Sequence, residues 1–163
     1  MKAISLWQPW ATALFLREVD GSRIKPDETR GWPIAYRGPI AIHAAKAEAV
    51  KGLDYDPALD EILFRLCGRR TGDLPRGCIL GRGQLVTCEK TIKVRPMRSP
   101  AQTLWGDYSE YDGNGRRRFA WRINDLELLP VPIPWRGQQG LFDVPDSIFA
   151  AVPAAERKRW PDE

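Results

Sequence analysis

Residues 25–46 read KPDETRGWPIAYRGPIAIHAAK, and this stretch decides the fold. Its first half is polar and charged: Lys25, Glu28, Thr29, Arg30, Trp32, Tyr36 and Arg37. Its second half holds an apolar run, Pro39-Ile40-Ala41-Ile42, closed by His43 and Lys46. A short apolar run between turn residues predicts a buried strand over Gly38–Ala44, apolar on both faces and so central in its sheet. Functional side chains often stand on loops held by such a rigid strand, so the charged half is the first place to look for a working surface.

Working outward, Pro26 excludes Lys25 from helix and places it at a turn or strand entry. From Asp27 to Trp32 the chain can run extended. Alternation then puts Glu28, Arg30 and Trp32 on one side and Thr29 and Gly31 on the other. A carboxylate, a guanidinium and an indole on one face make either a ligand wall or a structural ion pair capped by a packed ring. Upstream, Lys2–Leu6 predicts a first strand, and Gln8-Pro9-Trp10 opens a helix, since proline suits a first turn. Downstream, Asp56 as N-cap with Pro57 in the first turn begins a helix reaching about Leu66, with Leu59, Ile62, Leu63 and Leu66 inward.

Gly77–Cys88 reads as a long strand whose glycines mark a bulge or bend. Residues 89–104 read as irregular. Asp112-Gly113-Asn114-Gly115 is a hairpin tip. Phe119–Leu129 is a strand, and Pro130–Pro134 is excluded from any central strand. A short last strand follows Leu141. From Pro145 the chain reads as a tail of one or two short helices broken at Pro153. Strands dominate, glycines fall where a sheet must curl, and two or three helices remain outside. The fold class is therefore α+β: a small, partly open barrel flanked by helices, with one domain over 1–144 and a tail over 145–163.

At 163 residues with 43% apolar content the chain is long enough for one core and is not a disordered segment. A formal net charge of +4 leans toward anionic partners. Seven tryptophans supply flat surface suited to a core or to stacking a base. The three cysteines, Cys67, Cys78 and Cys88, form no paired motif. They read as free thiols of a reducing, cytoplasmic setting. No segment has the length to cross a bilayer, and MKAISLWQPW lacks the unbroken apolar core of a signal peptide. With a single histidine and no ligand spacing among the cysteines, no metal or cofactor is expected. His43, in an apolar strand, reads as a satisfied core histidine.

Four blocks together resemble the ASCH domain family of bacteria and phages. They are Ser5-Leu6-Trp7-Gln8-Pro9-Trp10-Ala11; Lys25-x-x-Glu28-x-Arg30-x-Trp32-Pro33; Tyr36-Arg37-Gly38-Pro39-Ile40-Ala41-Ile42-His43-Ala44-Ala45; and Pro134-x-Arg136-Gly137-x-Gln139-Gly140-Leu141-Phe142. The resemblance implies a PUA-like barrel with a cleft for RNA or a nucleobase-like ligand, lined by the residues matching Lys25, Glu28 and Arg30. Some members hydrolyse N4-acetylcytidine and others are reported to cleave RNA. Here Arg23 stands at the family's usual glycine, Pro26 follows the lysine, and Glu28 replaces the threonine of the hydrolases.

Three readings follow. In the first, the cleft binds single-stranded RNA or an unpaired or modified base. Trp7 or Trp32 stacks it, Gln8 and Glu28 read its edge, and Lys25, Arg30 and Arg37 hold phosphate. In the second, a hydrolase uses Lys25 as base or nucleophile and Glu28 as proton carrier. The third is an adaptor for another protein. The basic run Arg116-Arg117-Arg118, with Arg69, Arg70 and Arg76, is either a phosphate track or a solvated loop.

Overall fold

The structure is a computed structural model, and it describes residues 1–47 and 57–150. Six strands form one mixed sheet: β1 (Lys2–Leu6), β2 (Asp27–Arg30), β3 (Gly38–Ala44), β4 (Cys78–Lys90), β5 (Phe119–Pro134) and β6 (Leu141–Asp143). Their order is β2-β5-β4-β3-β1-β6. β1 and β3 run parallel, with Ser5 opposite His43, and the remaining pairs are antiparallel. The two end strands, β2 and β6, do not pair with each other, so the sheet curls into an open half-barrel. The strand expected over Gly38–Ala44 lies between two neighbours, and Ile40, Ala41 and Ile42 are fully buried.

The curl has local causes. The β4–β5 register slips three times along its length. Gly81 and Gly83 sit in this region, and a side chain on Gly81 would collide with the Glu127 carbonyl and the Phe15 ring. A Cβ on Gly83 would lie 2.7 Å from the Asn124 carbonyl oxygen. Only glycine allows the backbones to approach this closely, and the bulges bend the sheet.

The sheet's inner face packs Ile4, Leu6, Ile40, Ile42, Leu80, Leu85, Trp121 and Ile123 against Leu14, just beyond the short helix α1 (Trp10–Ala13). Helix α2 (Pro57–Cys67) buries Leu59, Leu63 and Leu66 against Leu16, Ile24 and Trp105. That is the stripe its spacing predicts, with Ile62 at the margin. The expected N-cap Asp56 lies outside the described residues, as does most of the helix-like segment 46–51. Of the predicted tail, a single 3-10 turn, Asp146–Phe149, is described.

Two expectations are corrected. Residues 89–104 are not irregular. They form α3 (Thr91–Val94), a 3-10 turn (Arg95–Met97) and α4 (Pro100–Thr103). The last is capped reciprocally, since Ser99 Oγ accepts from Gln102 N–H and Gln102 Oε1 accepts from Ser99 N–H. Ser99-Pro100-x-Gln102 is the sequence sign of such a start. Secondly, the strand expected to end at Leu129 continues as β5 to Pro134, while the exclusion of Pro130–Pro134 from a central strand holds. β2 pairs only with Phe119–Arg122, so this proline half pairs with β4 alone and forms an open edge, where a missing N–H costs nothing.

Asp27, almost fully buried, ties the helical turns to the sheet. It accepts from Arg98 Nε at 2.6 Å, Arg122 Nε at 2.8 Å and the Tyr108 hydroxyl at 2.9 Å. Burial alone would raise its carboxyl, but the two guanidinium bonds outweigh burial and hold it below the usual carboxylate range. Burial, and then the Asp27 charge, push the Tyr108 phenol well above its ordinary value.

Candidate functional site

A cavity of about 620 Å³ opens in the gap between the two ends of the half-barrel. One wall is the end strand β2, through Glu28, Thr29 and Arg30, with Lys25 just before it. The facing wall is the end of β1, through Ser5, Leu6 and Trp7, with Gln138–Gly140 leading into β6. The loop Leu104–Asp107 and Arg118 complete it. A bond from Arg30 Nη2 to the Ser5 carbonyl, 2.9 Å long, spans the gap between these walls.

The three groups that the sequence singled out do converge here. Glu28 Oε2 lies 2.9 Å from Lys25 Nζ, and Glu28 Oε1 lies 2.9 Å from Arg30 Nε. The Arg30 Nε approach lacks hydrogen-bond alignment, so that contact is an ion pair only. Lys25 also donates to the Trp105 carbonyl at 2.8 Å. Lys25 is 1% exposed, so its ammonium meets the cavity floor and not bulk water. The Glu28 contact is an ion pair and the Trp105 carbonyl takes one ammonium proton, so a proton is left for a guest. Glu28 keeps lone pairs beyond its two cations, while Arg30 is partly exposed.

Trp7 and Trp32 stand at the rim, 39% and 37% exposed, and both line the cavity. Trp32 is braced edge-on by the buried Trp121, with centroids 4.5 Å apart and planes at 85°. Trp10 lines the cavity as well. A wall of indole with a few fixed charges is the usual composition of a small-molecule site.

Two predicted site residues stand elsewhere. Gln8 is buried, and both ends of its amide are used: Nε2 donates to the Pro75 carbonyl at 2.8 Å, and Oε1 caps α1 by accepting from Thr12 N–H at 3.1 Å. Arg37 is exposed and folds back on the carbonyls of Ile34 and Tyr36. Thr29, which alternation sends to the opposite face, does line the cavity, because the 104–107 loop wraps it and Asp107 N–H donates to its hydroxyl at 3.0 Å. Trp105, Asp107 and the two glutamines line the cavity and were missed by sequence reasoning, while Arg118 of the basic run joins them. The basic run is largely neutralised by its own neighbours: Arg116 pairs with Asp112, Arg117 with Glu110 and Arg118 with Asp107.

The chain gives no match to any protein-family model or curated protein. Solved structures do match it. The ASCH protein of Zymomonas mobilis aligns at a TM-score of 0.56 with 16% identity, covering 93% of this chain and 95% of that one. A tyrosine-to-phenylalanine variant of that protein aligns at 0.52 with 16% identity, over 93% and 98%. The chain has the ASCH domain fold. The gap between the ends of the ASCH half-barrel is where Lys25, Glu28 and Arg30 meet.

His43 serves this ASCH scaffold as a core residue. Its Nε2 faces the Trp135 carbonyl at 3.0 Å and its Nδ1 faces Ser5 Oγ at 2.9 Å. A carbonyl can only accept, so Nε2 carries the proton and Nδ1 accepts from the Ser5 hydroxyl. Burial lowers its pKa from 6.5, with the Trp135 bond opposing. Unfolded His43 therefore binds a proton that the folded ring refuses, so stability falls as pH drops below about 6.5 and toward the lowered folded value. No other histidine titrates in that window. Urea unfolding at a series of pH values from 7 to 5 should show this decline, and a His43→Gln variant should be flatter over the same range. Among the described residues, no group of side chains is arranged to hold a metal ion, and no helix is long and apolar enough to cross a membrane.

Proposed function

We propose that the cavity binds an unpaired nucleobase, presented by single-stranded RNA or as a modified nucleoside. The observation that carries this reading is the convergence of Lys25, Glu28 and Arg30 on one indole-walled hollow. Trp7 or Trp32 stacks the base, and Glu28 with the remaining Lys25 proton reads its polar edge. Arg30, held by Glu28 and the Ser5 carbonyl, fixes the carboxylate and closes that side of the hollow. Recognition by stacking plus edge contacts is the common mode for splayed RNA bases. The volume suits a base with its sugar. The setting favours binding over hydrolysis, because Lys25 is held between two acceptors and Glu28 is occupied by two cations.

The test is fluorescence anisotropy of a short labelled single-stranded RNA, for the wild type and for Trp32→Ala. Stacking on an aromatic ring contributes about 1–3 kcal/mol per base, so the variant should bind at least fivefold more weakly, by that estimate of roughly 1 kcal/mol or more. Equal affinity would pass the stacking role to Trp7, and equal affinity in Trp7→Ala as well would overturn it. Incubation with N4-acetylcytidine and with the same RNA should give no turnover. Turnover abolished by Lys25→Ala would instead establish the hydrolase.

A further inference from the structure

A second cavity, about 760 Å³, shares a wall with the first. Ser5, Ala45, Gln138 and Gln139 line both. The two differ in charge. The first mixes Lys25, Arg30 and Arg118 with Glu28 and Asp107. The second is lined by two cations, Lys46 and Arg136, and by no carboxylate among the described residues. Its histidine is neutral near pH 7, since burial lowers its pKa from 6.5. Lys46 and Arg136 are both exposed and make no hydrogen bond or ion pair with a described residue. The other arginines near the first cavity, Arg30 and Arg118, are all internally engaged.

The backbone that carries Arg136 is held firmly. The preceding Trp135 donates its N–H to the Gly77 carbonyl at 3.0 Å and accepts from His43 through its own carbonyl. The following Gly137 packs so closely that a Cβ there would fall 2.7 Å from Ser5 Oγ. An arginine on a pinned backbone, lining one cavity with a second cation and two glutamines, suits an oxyanion. Phosphate suits this lining best, because arginine presents paired donors to it.

We infer that the second cavity binds the phosphate adjoining the base held in the first, so that the preferred ligand is phosphorylated and not a bare nucleoside. Lys46 and Arg136 supply the charge, while Gln138 and Gln139 form the ridge between the two subsites. This inference rests on the base-binding reading of the first cavity. It adds a class of ligand, a phosphomonoester or phosphodiester, and a pair of residues that the first cavity does not use.

The experiment is calorimetric titration of the full chain with the four ribonucleosides, their 3′- and 5′-monophosphates and dinucleotides. At least one phosphorylated form should bind about tenfold or more tightly than its nucleoside, as one charge-assisted phosphate contact supplies. The gain should shrink as salt rises. It should vanish in the double variant Lys46→Ala/Arg136→Ala, and reverse in Arg136→Glu, while nucleoside affinity stays as in the wild type. A gain confined to dinucleotides identifies a strand as the phosphate's source, and a gain with monophosphates identifies a free nucleotide. Equal affinity for nucleoside and nucleotide, or a gain that survives the double variant, overturns the phosphate site and leaves the base pocket standing. No binding of any probe overturns both.

Discussion

Glu28→Ala should cost about 3–5 kcal/mol of stability, because it strands Lys25 as a buried cation without its carboxylate. Lys25 is almost wholly enclosed, so water in the cavity replaces the lost partner poorly, and the Trp105 carbonyl alone cannot balance the charge. Arg30 loses its counter-ion too, but it is partly exposed and keeps the Ser5 carbonyl, so its share is small. The double variant Lys25→Met/Glu28→Gln should recover most of the loss, since it removes both charges and keeps the volume. Denaturant midpoints for the single and double variants measure this directly. The double variant should also fail to bind RNA although it is folded. That separates the two roles of the ion pair: a net structural gain would leave the double variant unstable, whereas a functional pair leaves it stable and inert.

Asp27→Ala is the second large effect, again about 3–5 kcal/mol, and its cause is different. Here one buried carboxylate satisfies Arg98, Arg122 and Tyr108 together. Its loss frees the turns Thr91–Thr103 from the sheet while leaving the cavity charges in place. Because the folded carboxyl is held below its ordinary value of 3.8, the stability it supplies is present above that pH and is lost as pH falls through the lowered value. The wild type should therefore unfold more steeply below pH 4 than Asp27→Asn does. The control is Arg98→Met, which leaves Arg122 on the carboxylate and should cost less than Asp27→Ala.

The half-barrel was legible because apolar runs bounded by turns mark β1, β3, β4 and the first half of β5. Glycines at 81 and 83 marked the bend for the reason the backbone confirms, close approach of a neighbouring strand. Lys25, Glu28 and Arg30 were legible as a group because they lie within six residues and two share a strand face. What the sequence hid was what closes over them. Trp105 reaches Lys25 from 80 positions away, and Gln138–Gly140 arrive from the opposite end of the sheet. No local periodicity reports which loops cross an open gap. Gln8 misled for a related reason: its amide looks free beside two tryptophans, and only the fold reveals that Pro75 and Thr12 consume it. The strand's end was placed too early, at Leu129, because its prolines argue against a ladder, yet an edge strand tolerates what a central one does not, and edge position is a property of the whole sheet.

The most direct test follows the indole N–H signals of the ¹⁵N-labelled protein during titration with a short single-stranded RNA. The base-binding account predicts that the signals of Trp7 or Trp32 shift progressively and saturate, and that Lys25→Met/Glu28→Gln abolishes the shifts. RNA that binds while Trp7 and Trp32 stay unmoved, or that does not bind at all, would contradict it.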